Sequence, residues 1–519
     1  MIKTLAFALL SLSLRLAAFP NDVLTWHNDN ARTGQDLNET VLTRRNVNAK
    51  TFGKLFTIPV DGKVDAEPLY VHQLKLPNRG LRNVLFVATE HDSLYAFDAD
   101  TGQQFWHVQL LKLGETPSDN RNCGQITPEI GITSTPVIDR RQAPHSAIYT
   151  VAMSKDARGR YTQRLYALDL RTGAEELGGP VEIHATFPGA NAFDPKQYAE
   201  RAALLLLDGV IYTTWTSHCD INPYNGWIIG YDARTLKQTS ALNITPNGEE
   251  GAIWQSGAGA AADPQGFIYL MAANGTFDTV LNSSGFPSKG DFGNSFLRIA
   301  TRGRKLSVAD YFTMFNVVEE NATDTDLGSG GPMVLPDMKD ASGHKRRLVV
   351  GAGKDLSIYL ANRDDMGKFD PSGNQNIYQE LPHAMKHRTR ELSPAYFNGR
   401  LYYASTDDTL REYRFENARL VAEPVSQTAL NFIYPGATPS ISADGTRNAI
   451  VWVTENTNPA VLHAYDAIDL SRELYNSNQA PSGRDHFGEG NKFITPMIAN
   501  GKVYVGTTDG IGVFGLLSR

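Results

Sequence analysis

Four polar residues follow strand-forming stretches of the chain at positions where their side chains could do chemistry. Asp220, Asn274 and Lys354 each come within a few residues of a β-branched or aromatic run, and Asp291 lies further along the loop that Asn274 begins. Carboxylate and amide oxygens are the ligands that Ca²⁺ prefers, and a carboxylate can take a proton from a substrate hydroxyl. Carboxylates and a lysine brought together also shift each other's pKa, as groups in working sites do. These four residues are therefore the candidate site.

The same residues have an ordinary structural interpretation. Asp and Asn are among the commonest turn formers, and Lys354 fits a solvated loop charge equally well. The sequence contains no metal-spaced His/Cys cluster, no phosphate-binding loop and no G-x-S-x-G elbow. Whether the four residues act together therefore depends on the fold that positions them.

The clearest structural unit is the stretch NVLFVATEHDSLYAFDADTGQQFW, residues 83–106. Its β-branched and aromatic runs predict two strands, a turn and the start of a third strand. Asp98 and Gly102 suit the turn, because Asp can bond its own backbone and Gly tolerates a positive φ. A unit this short cannot bury both of its faces, so the pattern predicts further copies.

Two independent counts give eight copies. Runs that resemble the first strand of this stretch recur about every 60 residues, at 83–89, 147–153, 210–216, 267–273, 347–353, 400–406, 449–455 and 502–508. Six of the segments before these runs open with a proline, which is tolerated at the first position of a strand; these are Pro68, Pro136, Pro332, Pro394, Pro439 and Pro496. No alternation of helical and strand patterns appears. The prediction is an all-β, eight-bladed propeller.

The two ends of the repeat predict how the ring closes. The last unit stops after its third strand, whereas FGKLFTIPV at 52–60 looks like a fourth strand without a unit. Pairing the two removes the open sheet edges that would otherwise aggregate. The predicted organisation is a signal peptide at 1–18, an extension at 19–51 and one propeller domain at 52–519.

Composition and targeting signals limit the function classes. The chain has 519 residues, a net charge of −7 and a pI near 6.0, and no basic run predicts a nucleic-acid partner. Residues 1–18 resemble a secretory signal, and no other stretch is apolar enough to span a membrane. We expect a secreted or extracytoplasmic monomer. N-x-[ST] sequons, which would make it a glycoprotein in a glycosylating host, occur at Asn38, Asn243, Asn274, Asn282 and Asn321.

The two cysteines, Cys123 and Cys219, suit an exported protein with a single disulfide. The alternative is two unpaired thiols. Both residues fall in loops that the eight-unit pattern assigns to the same face of the ring, and this favours the disulfide.

The repeats resemble those of the quinoprotein dehydrogenases, which are eight-bladed propellers that bind pyrroloquinoline quinone (PQQ). Residues 96–106 match the family's motif A-x-D-x-x-T-G-x-x-x-W throughout, and residues 167–177 match it as far as Gly173. The openings WHNDNARTGQ (26–35) and GKVDAEPLYV (62–71) are similar to those of exported PQQ-repeat proteins without a settled activity. The resemblance implies the propeller fold and makes the cofactor an expectation.

The resemblance also implies roles for the four candidate residues. Asp220 lies near the position of the family's calcium-binding glutamate, and Asn274 lies where the family supplies an amide oxygen to calcium. Asp291, in KGDFGNS, matches the aspartate that acts as the base, and Lys354 matches the basic residue that contacts the quinone oxygens. In this scheme the cofactor accepts a hydride from an alcohol-type substrate.

Two features depart from the family. The tryptophan on which the quinone stacks is replaced by a run of small residues at 259–262, and Trp254 is interpreted as packing. The vicinal cysteine pair is absent, with only Cys123 nearby. Two functions therefore stay open. One is an oxidoreductase-like enzyme acting on a small organic molecule in the mouth of the ring, with PQQ and calcium or with the cofactor lost. The alternative is a non-catalytic propeller that binds a protein or a glycan.

Overall fold

The structure is a computed structural model, and it describes residues 22–140, 146–255, 257–387 and 393–518. The predicted signal peptide at 1–18 lies outside the described residues. Most of the described strands belong to eight sheets, and in each sheet the first to fourth strands pair antiparallel in chain order. This is the predicted eight-bladed β-propeller, and the blades are numbered here from the N-terminus.

From first to fourth strand, blade 1 consists of Leu69–Leu76, Gly80–Ala88, Ser93–Asp98 and Gln104–Gln109, and blade 2 consists of Val137–Asp139, Ala147–Asp156, Tyr161–Asp169 and Val181–Glu182. Blade 3 consists of Leu205–Leu207, Val210–Ser217, Trp227–Asp232 and Gln238–Asn243, and blade 4 consists of Ala261–Ala262, Phe267–Met271, Phe296–Ala300 and Ser307–Thr313.

Blade 5 consists of Met333–Val334, Leu348–Ala352, Ile358–Asn362 and Gln379–Leu381, and blade 6 consists of Ala395–Phe397, Arg400–Ala404, Asp408–Glu416 and Ser426–Phe432. Blade 7 consists of Ser440–Asp444, Arg447–Glu455, Val461–Asp466 and Asp469–Asn476, and blade 8 consists of Met497–Ala499, Lys502–Gly506, Gly510–Leu516 and Phe52–Pro59. The shorter elements are the strands Gln35–Asp36, Glu115–Asp119, Glu129–Ile130, Tyr198–Ala199, Met338–Lys339, Lys345–Arg346, Lys368–Phe369 and Arg419–Leu420, the α-helix Val317–Ala322, and the 3₁₀ turns Arg302–Arg304 and Pro481–Gly483.

The ring closes as the sequence predicts. Phe52–Pro59 pairs antiparallel with Gly510–Leu516, so an N-terminal strand completes the C-terminal blade. Phe52 is fully buried there, with its ring 5.0 Å from that of Tyr475 and 5.4 Å from that of Trp452, both in blade 7. The closing strand therefore also supplies core packing between two blades.

At four blade boundaries a side chain of one blade donates a hydrogen bond to a turn carbonyl of the next blade. The Trp106 indole N–H of blade 1 donates to the carbonyl of Leu170 in blade 2 at 3.0 Å. A Cβ added at Gly173 would lie 2.8 Å from the Trp106 ring, which explains why the motif ends its turn with glycine. The Tyr149 hydroxyl donates to Ala233 at 2.6 Å across the next boundary. Trp106 and Gly173, which match the motif, therefore hold blades 1 and 2 against each other.

The segment before the closing strand passes through the middle of the ring. The first strands of neighbouring blades contact each other around the axis. Backbone carbonyls of the segment accept hydrogen bonds from these first strands in blades 2, 4, 5, 6 and 7, and the carbonyls are those of Leu24, Asn30, Ala31, Thr33 and Gly34. Arg32 is fully buried and donates to the carbonyls of Ala260 and Trp26. Residues 24–34, part of the predicted extension at 19–51, therefore lie against the first strands at the centre of the ring.

Candidate functional site

One pocket of about 410 Å³ opens among loops at one end of the ring. Its volume lies within the range of about 300–1,000 Å³ that small-molecule sites occupy. Its wall residues all lie after second strands or between one blade and the next. They are Gln125, Arg201, Asp220, Tyr224, Glu250, Trp254, Asn274, Asn321, Asp324, Asp326, Ser329, Lys354 and Tyr434. Three of the four residues predicted from sequence, Asp220, Asn274 and Lys354, are therefore together.

Lys354 is the centre of a hydrogen-bonded cluster in this wall. Its ammonium lies 2.5 Å from the Asp326 carboxylate and 2.8 Å from that of Asp324. Burial is the largest influence on the pKa of Lys354 and lowers it, but Asp326 and Asp324 outweigh burial, and the net result is a raised pKa. Lys354 is therefore a fixed positive charge rather than a proton acceptor.

Asn274 donates to this cluster through its main-chain and side-chain nitrogens, and its side-chain oxygen has no hydrogen-bond partner. Its backbone N–H donates to Asp326 at 2.8 Å, and its side-chain amide donates to Asp324 at 3.2 Å. The Asn274 side-chain oxygen is buried and accepts no hydrogen bond. An unpaired buried acceptor costs about 1–3 kcal/mol, so the Asn274 side-chain oxygen is an unsatisfied acceptor beside the Lys354 cluster.

Asp220 also lines the pocket, after the second strand of blade 3. The Tyr224 hydroxyl donates to its carboxylate at 3.1 Å. Burial of the carboxylate in the pocket is the largest influence on the pKa of Asp220 and raises it, and the carboxylates of Asp326 and Asp324 raise it further. A cation bound between the carboxylates of Asp220, Asp324 and Asp326 would relieve the repulsion between them.

The prediction that Asp291 lines this pocket is wrong. The loop between Asn274 and the third strand of blade 4 folds back on itself, with bridges from Phe277 to Phe292 and from Leu281 to Pro287. Asp291 lies in this hairpin, fully buried, and accepts the backbone N–H of Asn247 at 2.8 Å. It is not among the described residues that line the pocket. The pairing of Asp291 with Lys354 therefore does not form.

Sequence reasoning missed several wall residues. Trp254, interpreted as packing, does pack half-buried against the hydrophobic core of blades 2 and 3, but it also lines the pocket, with the Arg201 guanidinium 5.0 Å from its ring centroid. Asp324 and Asp326 lie in the TDTDLGSGG stretch before blade 5, whose repeated acid was the available signal. Arg201 and Glu250 gave no signal, because each lies in an irregular segment before a first strand.

The predicted disulfide is confirmed. Cys123 and Cys219 are bonded, with Cα atoms 6.2 Å apart, inside the usual range for a disulfide. Cys123 precedes the wall residue Gln125, and Cys219 precedes Asp220. The bond therefore ties two loops of the pocket wall to each other.

Over the described ranges, no group of three or more His, Cys, Asp or Glu side chains has the spacing of a preformed metal site. A cation here would need main-chain, amide or ligand oxygens in addition to the carboxylates. None of the helices described is long and apolar enough to cross a bilayer.

Comparison with solved structures places this arrangement among known propellers. The quinohemoprotein alcohol dehydrogenase of Comamonas testosteroni matches with a TM-score of 0.62 and 14% identity, over 97% of this chain and 82% of that one. A europium-containing methanol dehydrogenase matches with a TM-score of 0.63 and 11% identity, over 96% and 98%.

This chain has the quinoprotein-dehydrogenase fold. A second quinohemoprotein alcohol dehydrogenase, from Pseudomonas putida HK5, gives a TM-score of 0.62 at 13% identity, over 96% of this chain and 81% of that one. No protein-family model matches the sequence, and no curated protein matches it either. At these identities the likeness establishes the fold, and the activity has to be argued from the pocket.

Proposed function

We propose that the protein is an exported oxidoreductase that acts on a small alcohol-type molecule in the mouth pocket, using PQQ together with a divalent cation. The observation that carries this proposal is the unpartnered Asn274 amide oxygen, which lies beside the cluster of Lys354, Asp324 and Asp326 in a pocket of ligand size. The fold of the similar dehydrogenases and the Cys123–Cys219 disulfide, typical of oxidising compartments, support it.

The donor set fits a hard cation. Asp220 and Asn274 would supply a carboxylate and an amide oxygen, the ligand types that Ca²⁺ prefers. Both residues follow second strands of neighbouring blades, and the backbone of the Asn274 loop is fixed by its hydrogen bond to Asp326. A bound cation would also pair with the unsatisfied Asn274 oxygen.

The donor set fits the quinone only when that cation is present. Among the described wall residues, Asp220, Glu250, Asp324 and Asp326 oppose the two cationic side chains of Arg201 and Lys354. PQQ carries three carboxylates, so a pocket with this excess of negative charge repels it until a divalent cation neutralises the wall. We therefore expect ordered binding, with the cation first.

Four wall residues then have defined tasks. Asp220 and Asn274 hold the cation, Lys354 presents a fixed ammonium to anionic oxygens of the ligand, and Trp254 offers an aromatic surface at the wall. When bound, the quinone supplies an acceptor for a hydride and its two electrons. The chain itself positions the substrate and excludes water.

The test is binding and turnover by the purified protein. We expect PQQ to be retained after gel filtration only when Ca²⁺ is present, and we expect the loaded protein to reduce an artificial dye with simple alcohols. Lys354→Ala should weaken PQQ retention at least tenfold. The matched control is Lys345→Ala, because Lys345 is exposed, pairs with the Asp337 carboxylate at 3.0 Å, and is not among the described wall residues. Absence of PQQ retention at saturating Ca²⁺ would overturn the proposal.

The second candidate is a binding propeller without redox chemistry. It is favoured by the position of Asp291, because the residue predicted to act as the base lies outside the pocket. In that case the carboxylates and Trp254 would bind the hydroxyls and the apolar face of a sugar. Retention on an immobilised glycan that is lost in Trp254→Ala, with no PQQ binding, would establish it.

A further inference from the structure

A histidine bridges two carboxylates inside blade 7. The Nε2 atom of His463 lies 2.7 Å from an oxygen of Glu455, at the end of the second strand, and its Nδ1 atom lies 2.6 Å from an oxygen of Glu473, in the fourth strand. His463 itself belongs to the third strand, and only 5% of its side chain is exposed. One buried ring therefore connects three neighbouring strands of the blade.

This geometry corresponds to a doubly protonated ring. Ionised carboxylates only accept hydrogen bonds, and a neutral imidazole carries a single N–H. Two short contacts to two carboxylates therefore need the imidazolium, which donates from both nitrogens. Burial is the largest influence on the pKa of His463 and lowers it, but Glu455 and Glu473 outweigh burial, and the net result is a raised pKa.

The other groups packed against the His463 ring are uncharged. The Tyr465 hydroxyl, on the same strand, lies 3.4 Å from Nδ1, and the Phe432 ring of blade 6 stands edge-on with its centroid 5.8 Å away. The strand that carries Phe432, SQTALNF, contains no titratable side chain. Among the described residues, Glu455 and Glu473 are therefore the charged groups that face His463.

The end of the second strand is also connected to the pocket wall. Asn456 directly follows Glu455, and its side-chain amide donates to the main-chain carbonyl of the wall residue Tyr434 at 3.4 Å. Further along the same loop, the Ala460 N–H donates to the Gly488 carbonyl at 2.8 Å. A displacement of Glu455 would therefore reach the loops at the pocket end of the ring.

We propose that His463 is a pH-dependent clamp, which holds the three strands together as the imidazolium and which, on losing a proton, releases one carboxylate and loosens the loop that contacts Tyr434. The neutral ring has one N–H to donate. Glu473 keeps a second donor, the Asn476 side-chain amide at 2.9 Å, so we expect Glu455 to lose the His463 hydrogen bond. Histidine suits this role because its ordinary pKa lies near neutral pH. The clamp does not depend on the proposed cofactor.

The first test is the pH dependence of urea unfolding. The pKa of His463 is raised above its unfolded value of about 6.5, so the clamp stabilises the fold fully below that pH and is lost as pH rises through the folded pKa. His463→Gln removes this titration. Its urea midpoint should lie furthest below that of the wild type at pH 6 and approach it at pH 9. The control His344→Gln, at a side chain that is 74% exposed, should follow the wild type at both pH values.

The second test locates the effect in blade 7. Hydrogen exchange of the wild type, corrected for the intrinsic rate at each pH, should show protection of residues 456–463 falling about tenfold between pH 6 and pH 9, the equivalent of one pKa unit. The strand Arg400–Ala404 of blade 6 should keep its protection. If His463→Gln does not fold, Glu455→Gln replaces it, because a glutamine amide can donate to the neutral ring and most of the pH dependence should disappear. A midpoint difference from wild type that is equal at both pH values, or unchanged protection at 456–463, would overturn the clamp.

Discussion

Removing the disulfide should destabilise the protein and loosen the pocket. Cys123 and Cys219 are separated by 96 residues, and closing a loop of about 100 residues lowers the entropy of the unfolded chain by the equivalent of about 4.7 kcal/mol. Native disulfides removed by mutation typically cost about 2–5 kcal/mol. We expect Cys123→Ala/Cys219→Ala to lose a free energy of unfolding in that range.

The assay is urea unfolding followed by tryptophan fluorescence, with the free energy taken from the midpoint and the slope. Wild type reduced with dithiothreitol is the matched control, and it should unfold at the midpoint of the double variant. Because the bond joins the loops of Gln125 and Asp220, Ca²⁺ affinity should fall as well. A loss below about 1 kcal/mol would refute this reasoning, since it would mean that the ring alone fixes both loops.

Three further outcomes test the fold and the pocket. Phe52→Ala should cost about 3–5 kcal/mol in urea unfolding because Phe52 is fully buried at the closure, whereas Leu55→Ala in the same strand, where Leu55 is exposed, should stay within about 0.5 kcal/mol. Burial and a neighbouring carboxylate raise the pKa of fully buried Glu90. The folded protein therefore holds a proton on Glu90 that the unfolded chain releases near pH 4.3. Its contribution to stability is therefore lost as pH rises above that value, and Glu90→Gln should unfold at a higher urea concentration than wild type at pH 8, with a smaller difference at pH 5. Lys354→Met should cost about 3 kcal/mol by leaving Asp326 buried and unpaired, and adding Asp326→Asn should recover most of it in a double-mutant cycle. An additive cycle would show that the pair is not coupled.

The sequence by itself determined the architecture. Strand-forming runs, prolines at strand starts and turn residues are local signals, so they could be counted along the chain without knowing any contact. The missing fourth strand of the last unit and the unassigned strand at 52–60 predicted the closure, because a ring leaves no unpaired edge. The disulfide followed from the same pattern, since only two cysteines were available and both lay in loops on one face.

Only the tertiary structure decided which loop residues meet. The same pocket is lined by Asp220, Asn274 and Lys354, each two or three residues after a second strand, so the sheets determine where these side chains lie. Asp291 is 17 residues further on than Asn274, and the hairpin of its own loop turns it away from the pocket. Glu250 lines the same pocket because backbone hydrogen bonds join its segment to the loops of Asp220 and Asn274. Strand positions follow from local periodicity, whereas the direction of a side chain in a long loop depends on packing between distant segments, and no local pattern records that packing.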